Sequence, residues 1–200
     1  MKKIAILASG EGTNAERIIR YFAEKRTAEI ALVIANKTQA GVLKRAERLG
    51  VPSVVITPQG FTSGLALEAL RRHHIGFIVL AGFLLKVPDD ILHDYPNKIV
   101  NIHPSLLPRF GGKGMYGTRV HEAVLAAGEK ESGITIHYIN ERYDEGGILF
   151  QAACPVLPHD TPQTLAAKVH QLEYEHFPRV IEKVLSDGGP APHISATSAG

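Results

Sequence analysis

Two polar side chains stand two residues apart in an otherwise apolar run, Asn101 and His103 in Ile99-Val-Asn-Ile-His-Pro104. If that run is a strand, alternation points both to one side, where they can converge on one atom of a ligand. An amide and a protonated imidazole are both donors, suited to an oxygen that gathers negative charge during acyl-type transfer. Removing one such donor typically costs about 2.7–4 kcal/mol of transition-state stabilisation. Pro104 and Pro108 hold the following segment extended before any substrate arrives. A histidine at a strand end is also often only a packed side chain, so position must decide. A second feature is Gly10-Glu-Gly-Thr-Asn14, where glycines let backbone N–H groups approach an anion at a helix start. Gly10, Gly12 and Ala15 also fit the dinucleotide fingerprint, but the second strand ends Ile34-Ala-Asn-Lys37 without the ribose-binding acid, and that reading falls. A tight turn without a ligand stays open for the loop. Asp144, followed by Gly146 and Gly147, is by spacing alone a turn acid.

The elements that must position these residues alternate. The run 3–9 is compact and apolar, as expected of a strand buried on both faces of a parallel sheet. Ala15, Ile18, Ile19 and Phe22 then share a helix face, with Asn14 as the expected N-cap. Further strands are predicted over 30–35, 53–56, 77–81 and 99–102, with helices over 40–49, 65–73 and 89–94 between them. That alternation predicts an α/β fold, a Rossmann-like open and mostly parallel sheet with helices on both faces. Asn101 and His103 then lie at the carboxyl edge of the sheet, where ligands bind in such folds. Beyond Pro104 comes a stretch rich in Pro and Gly, then a helix over 120–127 and two strands over 134–139 and 148–156. These strands would pair as an antiparallel C-terminal addition. Thr161 and Pro162 announce a last helix running toward Leu185, with Pro178 expected to kink or break it.

At 200 residues and 44% hydrophobic content the chain can form one sizeable core, so residues 1–185 are expected to be a single domain and the small, Gly/Pro/Ser-rich 186–200 a disordered tail. A net charge of +2 lacks the basic stripe of a nucleic-acid binder. The single cysteine, Cys154, permits no internal disulfide, and the first apolar run is too short for a signal peptide or a membrane span. A cytoplasmic protein acting on small molecules is expected, with neither nucleic acid nor membrane as partner, as a monomer or homodimer.

Asn101-Ile-His-Pro-Ser-Leu-Leu-Pro108 resembles, without a gap, the signature of the formyltransferases that use 10-formyltetrahydrofolate. Ser9-Gly-Glu-Gly-Thr-Asn14, Leu80-Ala-Gly-Phe83 and Asp144-Glu-Gly-Gly147 match, in the same order, the branch that formylates phosphoribosylglycinamide (GAR). The likeness spans residues 1 to about 185 and implies His103, Asn101 and Asp144 as catalytic residues. It implies Gly12, Thr13 and Asn14 at the GAR phosphate and Glu173 at its sugar. For the folate it implies Leu84, Leu85, Lys86 and Val87, with Asn101 and with Asn140, Glu141, Arg142, Tyr143 and Asp144 closing over it. The folate is a co-substrate, and no metal is implied. Asp144 would stand beside His103 and favour its imidazolium. His121 resembles a second active-site histidine or, as a residue opening a helix, a surface cap. The segment Pro58–Ser63 lacks the arginine that some relatives offer the folate tail, and Arg109–Gly117 is a glycine-rich insertion in which Lys113 could meet an anion. Relatives that formylate methionyl-tRNA carry a further C-terminal domain, and folate deformylases an N-terminal one. A nucleotide-binding module using only the glycine loop is the reading from a different class.

Overall fold

The computed structural model describes residues 1–142, 144–188 and 194–195. The chain forms two compact units, Met1–Asn101 and Ile102–Gly200. The first runs β1 (Lys2–Ala8), α1 (Thr13–Lys25), β2 (Ala28–Ala35), α2 (Gly41–Arg48), β3 (Ser53–Val55), α3 (Pro58–Thr62), α4 (Leu65–Arg72), β4 (Phe77–Leu80), α5 (Asp89–Asp94) and most of β5 (Ile99–His103). Every pairing is parallel, in the order β3-β2-β1-β4-β5. This is a Rossmann-like arrangement. From Ile4 through Ala8 each residue of β1 is buried, and β4 is buried throughout. Since neighbours on a strand point to opposite faces, both faces of the sheet are covered here, which is why these strands read as continuous apolar runs.

The expected N-cap of α1 is corrected. Gly12, not Asn14, precedes the helix, with φ 75 in the left-handed region. The short helix α3 was not expected; Thr57 caps it by accepting from the Gly60 N–H at 3.3 Å.

The second unit holds α6 (Thr118–Ala126), β6 (Glu131–Tyr138), β7 (Ile148–Pro155), α7 (Pro162–Asp187) and β8 (Ile194–Ser195). β6 and β7 pair antiparallel from Glu131↔Pro155 to His137↔Ile148, with a register shift between Ile136 and His137. β8 adds parallel to β7 and was not expected. α7 starts as the sequence implied: Thr161 and Thr164 form a capping box, with proline at the first turn. Pro178 does not end it. The helix continues to Asp187, its Leu165, Val169, Phe177, Pro178, Ile181 and Val184 forming a buried stripe whose packing outweighs the one lost N–H. The helix also reaches past the expected boundary at 185; most of the expected tail, 189–193 and 196–200, lies outside the described residues. No helix among the described residues is long and apolar enough to cross a membrane.

Candidate active site

In the first unit the strand order reverses between β1 and β4, and the segments leaving their carboxyl ends frame the crevice where such sheets take ligands. Ser9 ties the two segments together: its N–H donates to the Gly82 carbonyl at 3.0 Å, and its Oγ accepts from the Leu84 N–H at 2.9 Å. Gly12 turns the chain into α1, so Thr13 and Asn14 form the first turn of a helix whose N-terminus favours an anion. A side chain at Gly12 is excluded twice, by its φ and by Val42, whose Cβ would lie 2.5 Å from an added Cβ. In the segment after β4, Leu84 is 49% exposed, Leu85 half-buried and Lys86 exposed. Val87 is buried. Asn101 pairs in register with Leu80 and is half-buried.

In the second unit His103, 4% exposed, faces Asp144: its Nδ1 lies 3.6 Å from Asp144 Oδ2. Its Nε2 contacts the Phe110 carbonyl at 2.8 Å. A carbonyl only accepts, so Nε2 carries the proton, and the ring offers Asp144 an N–H only as imidazolium. Asp144 is fixed in turn. Its Oδ2 accepts from the Gly112 N–H at 2.8 Å, and its backbone adopts a left-handed φ of 55. The glycine-rich insertion is therefore a wall of this cluster. A Cβ added at Gly111 would sit 2.4 Å from Leu107 Cδ2 and would push that side chain aside, and Phe110 takes a φ of 54 that bulky residues rarely adopt. Lys113 is exposed. Gly146 brings the far side of the Asp144 loop against β6: an added Cβ would lie 1.6 Å from the Tyr138 carbonyl oxygen.

Two further residues of this cluster escaped the sequence reading, Thr135 and His137, both fully buried on one face of β6. The Thr135 hydroxyl donates to the Ser105 carbonyl at 2.7 Å and accepts from the Leu107 N–H at 2.9 Å, pinning the segment after His103. His137 Nδ1 donates to the Tyr138 carbonyl at 2.9 Å, and Nε2 faces Asp144 Oδ1 at 3.6 Å. One carboxylate thus lies between two imidazoles, each with its outer nitrogen held on a backbone carbonyl. Burial lowers the His137 pKa and the Asp144 charge opposes this. The signal available in the sequence was two polar residues at i and i+2 inside the apolar Ile134-Thr-Ile-His-Tyr138.

His121 is buried, not a surface cap, and its pKa is lowered to about 4 by burial and then by the charges of His170 and His103. Glu173 is a buried carboxylate, 6% exposed, rather than a solvated face of α7. Of the expected folate loop, Asn140 Oδ1 accepts from the Arg142 N–H at 2.9 Å, Arg142 pairs with Glu145 at 3.3 Å, and Glu141 is exposed. Tyr143 lies outside the described residues.

Residues 2–181 match the formyl transferase family. The phosphoribosylglycinamide formyltransferase of Bacillus subtilis is 39% identical over 191 residues, covering 92% of this chain and 95% of its own length. The chain belongs to the phosphoribosylglycinamide formyltransferases. The chloroplastic family member of Arabidopsis thaliana is 37% identical over 93% of this chain, which spans 66% of that relative's length. Among solved structures, the family member from Bacillus halodurans superposes with a TM-score of 0.85 at 36% identity, covering 94% of this chain and 97% of its own. That from Brucella melitensis gives 0.83 at 37% identity, covering 98% and 99%. The chain is thus an enzyme of formyl transfer with a Rossmann-like α/β fold and an antiparallel C-terminal addition.

Proposed function

We propose that this chain transfers the formyl group of 10-formyltetrahydrofolate to the amino group of GAR, giving formyl-GAR and tetrahydrofolate in purine biosynthesis. The observation that carries the reading is the ordered set of His103, Asp144 and the Gly112 N–H, with distances of 3.6 and 2.8 Å from the carboxylate. The GAR amine attacks the formyl carbon, and the carbonyl oxygen becomes an oxyanion that accepts from Asn101 and imidazolium His103. Collapse breaks the bond to N10; His103 supplies a proton to that nitrogen and regains one from the attacking amine, so the net transfer is from amine to N10. Asp144 supports the charged form of His103 through this sequence. Gly12, Thr13 and Asn14 hold the phosphate and Glu173 the sugar. Leu84, Leu85, Lys86 and Val87 meet the folate with Asn101, Asn140, Glu141, Arg142, Tyr143 and Asp144. No metal takes part. The enzyme works in the cytoplasm on small molecules, without nucleic acid, as a monomer or homodimer. The test is a transfer assay in which GAR, methionyl-tRNA, an amino-sugar nucleotide and water compete as acceptors. Formyl-GAR as the dominant product supports the reading; formate or another formylated acceptor as the dominant product overturns it.

A further inference from the structure

The glycine loop does not hold its shape alone. Arg45 follows Gly41 and Val42 by one helical turn of α2, and each of the three meets the loop. The Val42 N–H donates to the Gly10 carbonyl at 3.1 Å, and Arg45 Nε donates to the Glu11 carbonyl at 2.7 Å. Gly41 leaves room for Glu11, whose Oε2 would lie 2.6 Å from a Cβ added there. A second arm of the Arg45 guanidinium bonds Glu16 on α1, a carboxylate that also receives Arg48 at 2.6 Å and Arg20 at 2.8 Å. These contacts lower the Glu16 pKa, the Arg45 bond first, so the anchor is ionised at neutral pH.

The consequence lies in the peptide planes. In a trans peptide the carbonyl and the next N–H point in opposite directions. Pulling the Gly10 and Glu11 carbonyls toward α2 therefore turns the N–H groups of Glu11 and Gly12 away from it, both to the same side. Neither N–H meets an acceptor among the described residues. Successive N–H groups aimed to one side form an anion nest.

We propose that Arg45 is a positioning residue for the phosphate of the substrate: without touching it, Arg45 sets the peptide orientation that makes the loop an anion site. The inference rests on the functional reading above. A lysine cannot replace Arg45, because one ammonium lacks the planar fork that reaches a carbonyl and a carboxylate at fixed separation.

The test compares Arg45→Met, Arg45→Lys and Arg48→Met. Arg48 contacts the same Glu16 but not the loop, so it controls for lost charge and for the weakened ion cluster. Losing a charge-assisted hydrogen bond that orders the loop is expected to raise KM for GAR about tenfold in both Arg45 variants, with kcat little changed. Arg48→Met should keep the wild-type KM. Titration with inorganic phosphate, followed by amide NMR, should shift the Glu11 and Gly12 resonances in wild type and Arg48→Met and leave them unmoved in the Arg45 variants. An unchanged KM in folded Arg45→Lys, an equal rise in Arg48→Met, or an intact phosphate response in an Arg45 variant overturns the proposal. If Arg45→Met does not fold, Arg45→Lys decides. A wild type that responds to phosphate but makes no formyl-GAR would instead overturn the functional reading and leave the nest to be judged by NMR.

Discussion

Asp144→Asn removes one charge while keeping the shape. In the native cluster Asp144 Oδ2 lies 3.6 Å from His103 Nδ1. At an effective dielectric of about 20, opposite unit charges at that separation attract by about 4–5 kcal/mol, support that the imidazolium form of His103 loses in the variant. Converted at 1.36 kcal/mol per tenfold, that is on the order of a thousandfold in kcat, within the roughly 10²–10⁴ typical of a positioned acid or base. The fold should survive. The asparagine oxygen still accepts from the Gly112 N–H, and its NH2 can donate to His137 Nε2, the acceptor nitrogen of the ring when Nδ1 donates to Tyr138. KM for GAR should change little, because the lost interaction belongs to the transition state. The assay is product formation at saturating GAR and 10-formyltetrahydrofolate, with thermal unfolding as the control. Near-wild-type turnover in the folded variant refutes the role given to Asp144.

Gly12→Ala should weaken GAR binding and lower the melting temperature, since the left-handed φ of 75 costs about 1–3 kcal/mol for a residue with a side chain and the new Cβ meets Val42. Calorimetry and KM for GAR check this; an unchanged KM speaks against the loop as the phosphate site. His121→Gln should flatten the acid limb of stability. Burial lowers the His121 pKa from 6.5 to about 4, so the unfolded chain binds more protons between those values. The contribution is present above about pH 6.5 and lost as pH falls toward about 4. Urea unfolding across that range should show a shallower slope in the variant, and an identical slope would remove His121 from the account.

What could be read from the sequence was whatever periodicity or turn chemistry fixes locally. β1 and β4 are buried on both faces and so read as apolar runs, and Thr161-Pro162 announced α7. The pairing of His103 with Asp144 was implied only by resemblance, because nothing local joins a strand end to a turn acid far along the chain. The start of α1 was misplaced because its cap is conformational: Gly12 is demanded by Val42, not by a side-chain hydrogen bond. Pro178 does not break α7 because its local cost is outweighed by the buried stripe of that helix. Thr135 and His137, two polar residues at i and i+2 in an apolar strand, assign no role by themselves, and the meaning of His137 appears only when Asp144 lies beside it. The Phe110 carbonyl on His103 depends on a left-handed phenylalanine that no propensity suggests.

The most direct test of formyl transfer to GAR follows the carbon itself. Purified enzyme is mixed with 10-formyltetrahydrofolate labelled in the formyl group, with and without GAR, and the label is traced through a single turnover. The label is expected in formyl-GAR, one tetrahydrofolate being released for each, with no release when GAR is withheld. Label recovered as formate at the same rate with or without GAR would contradict it.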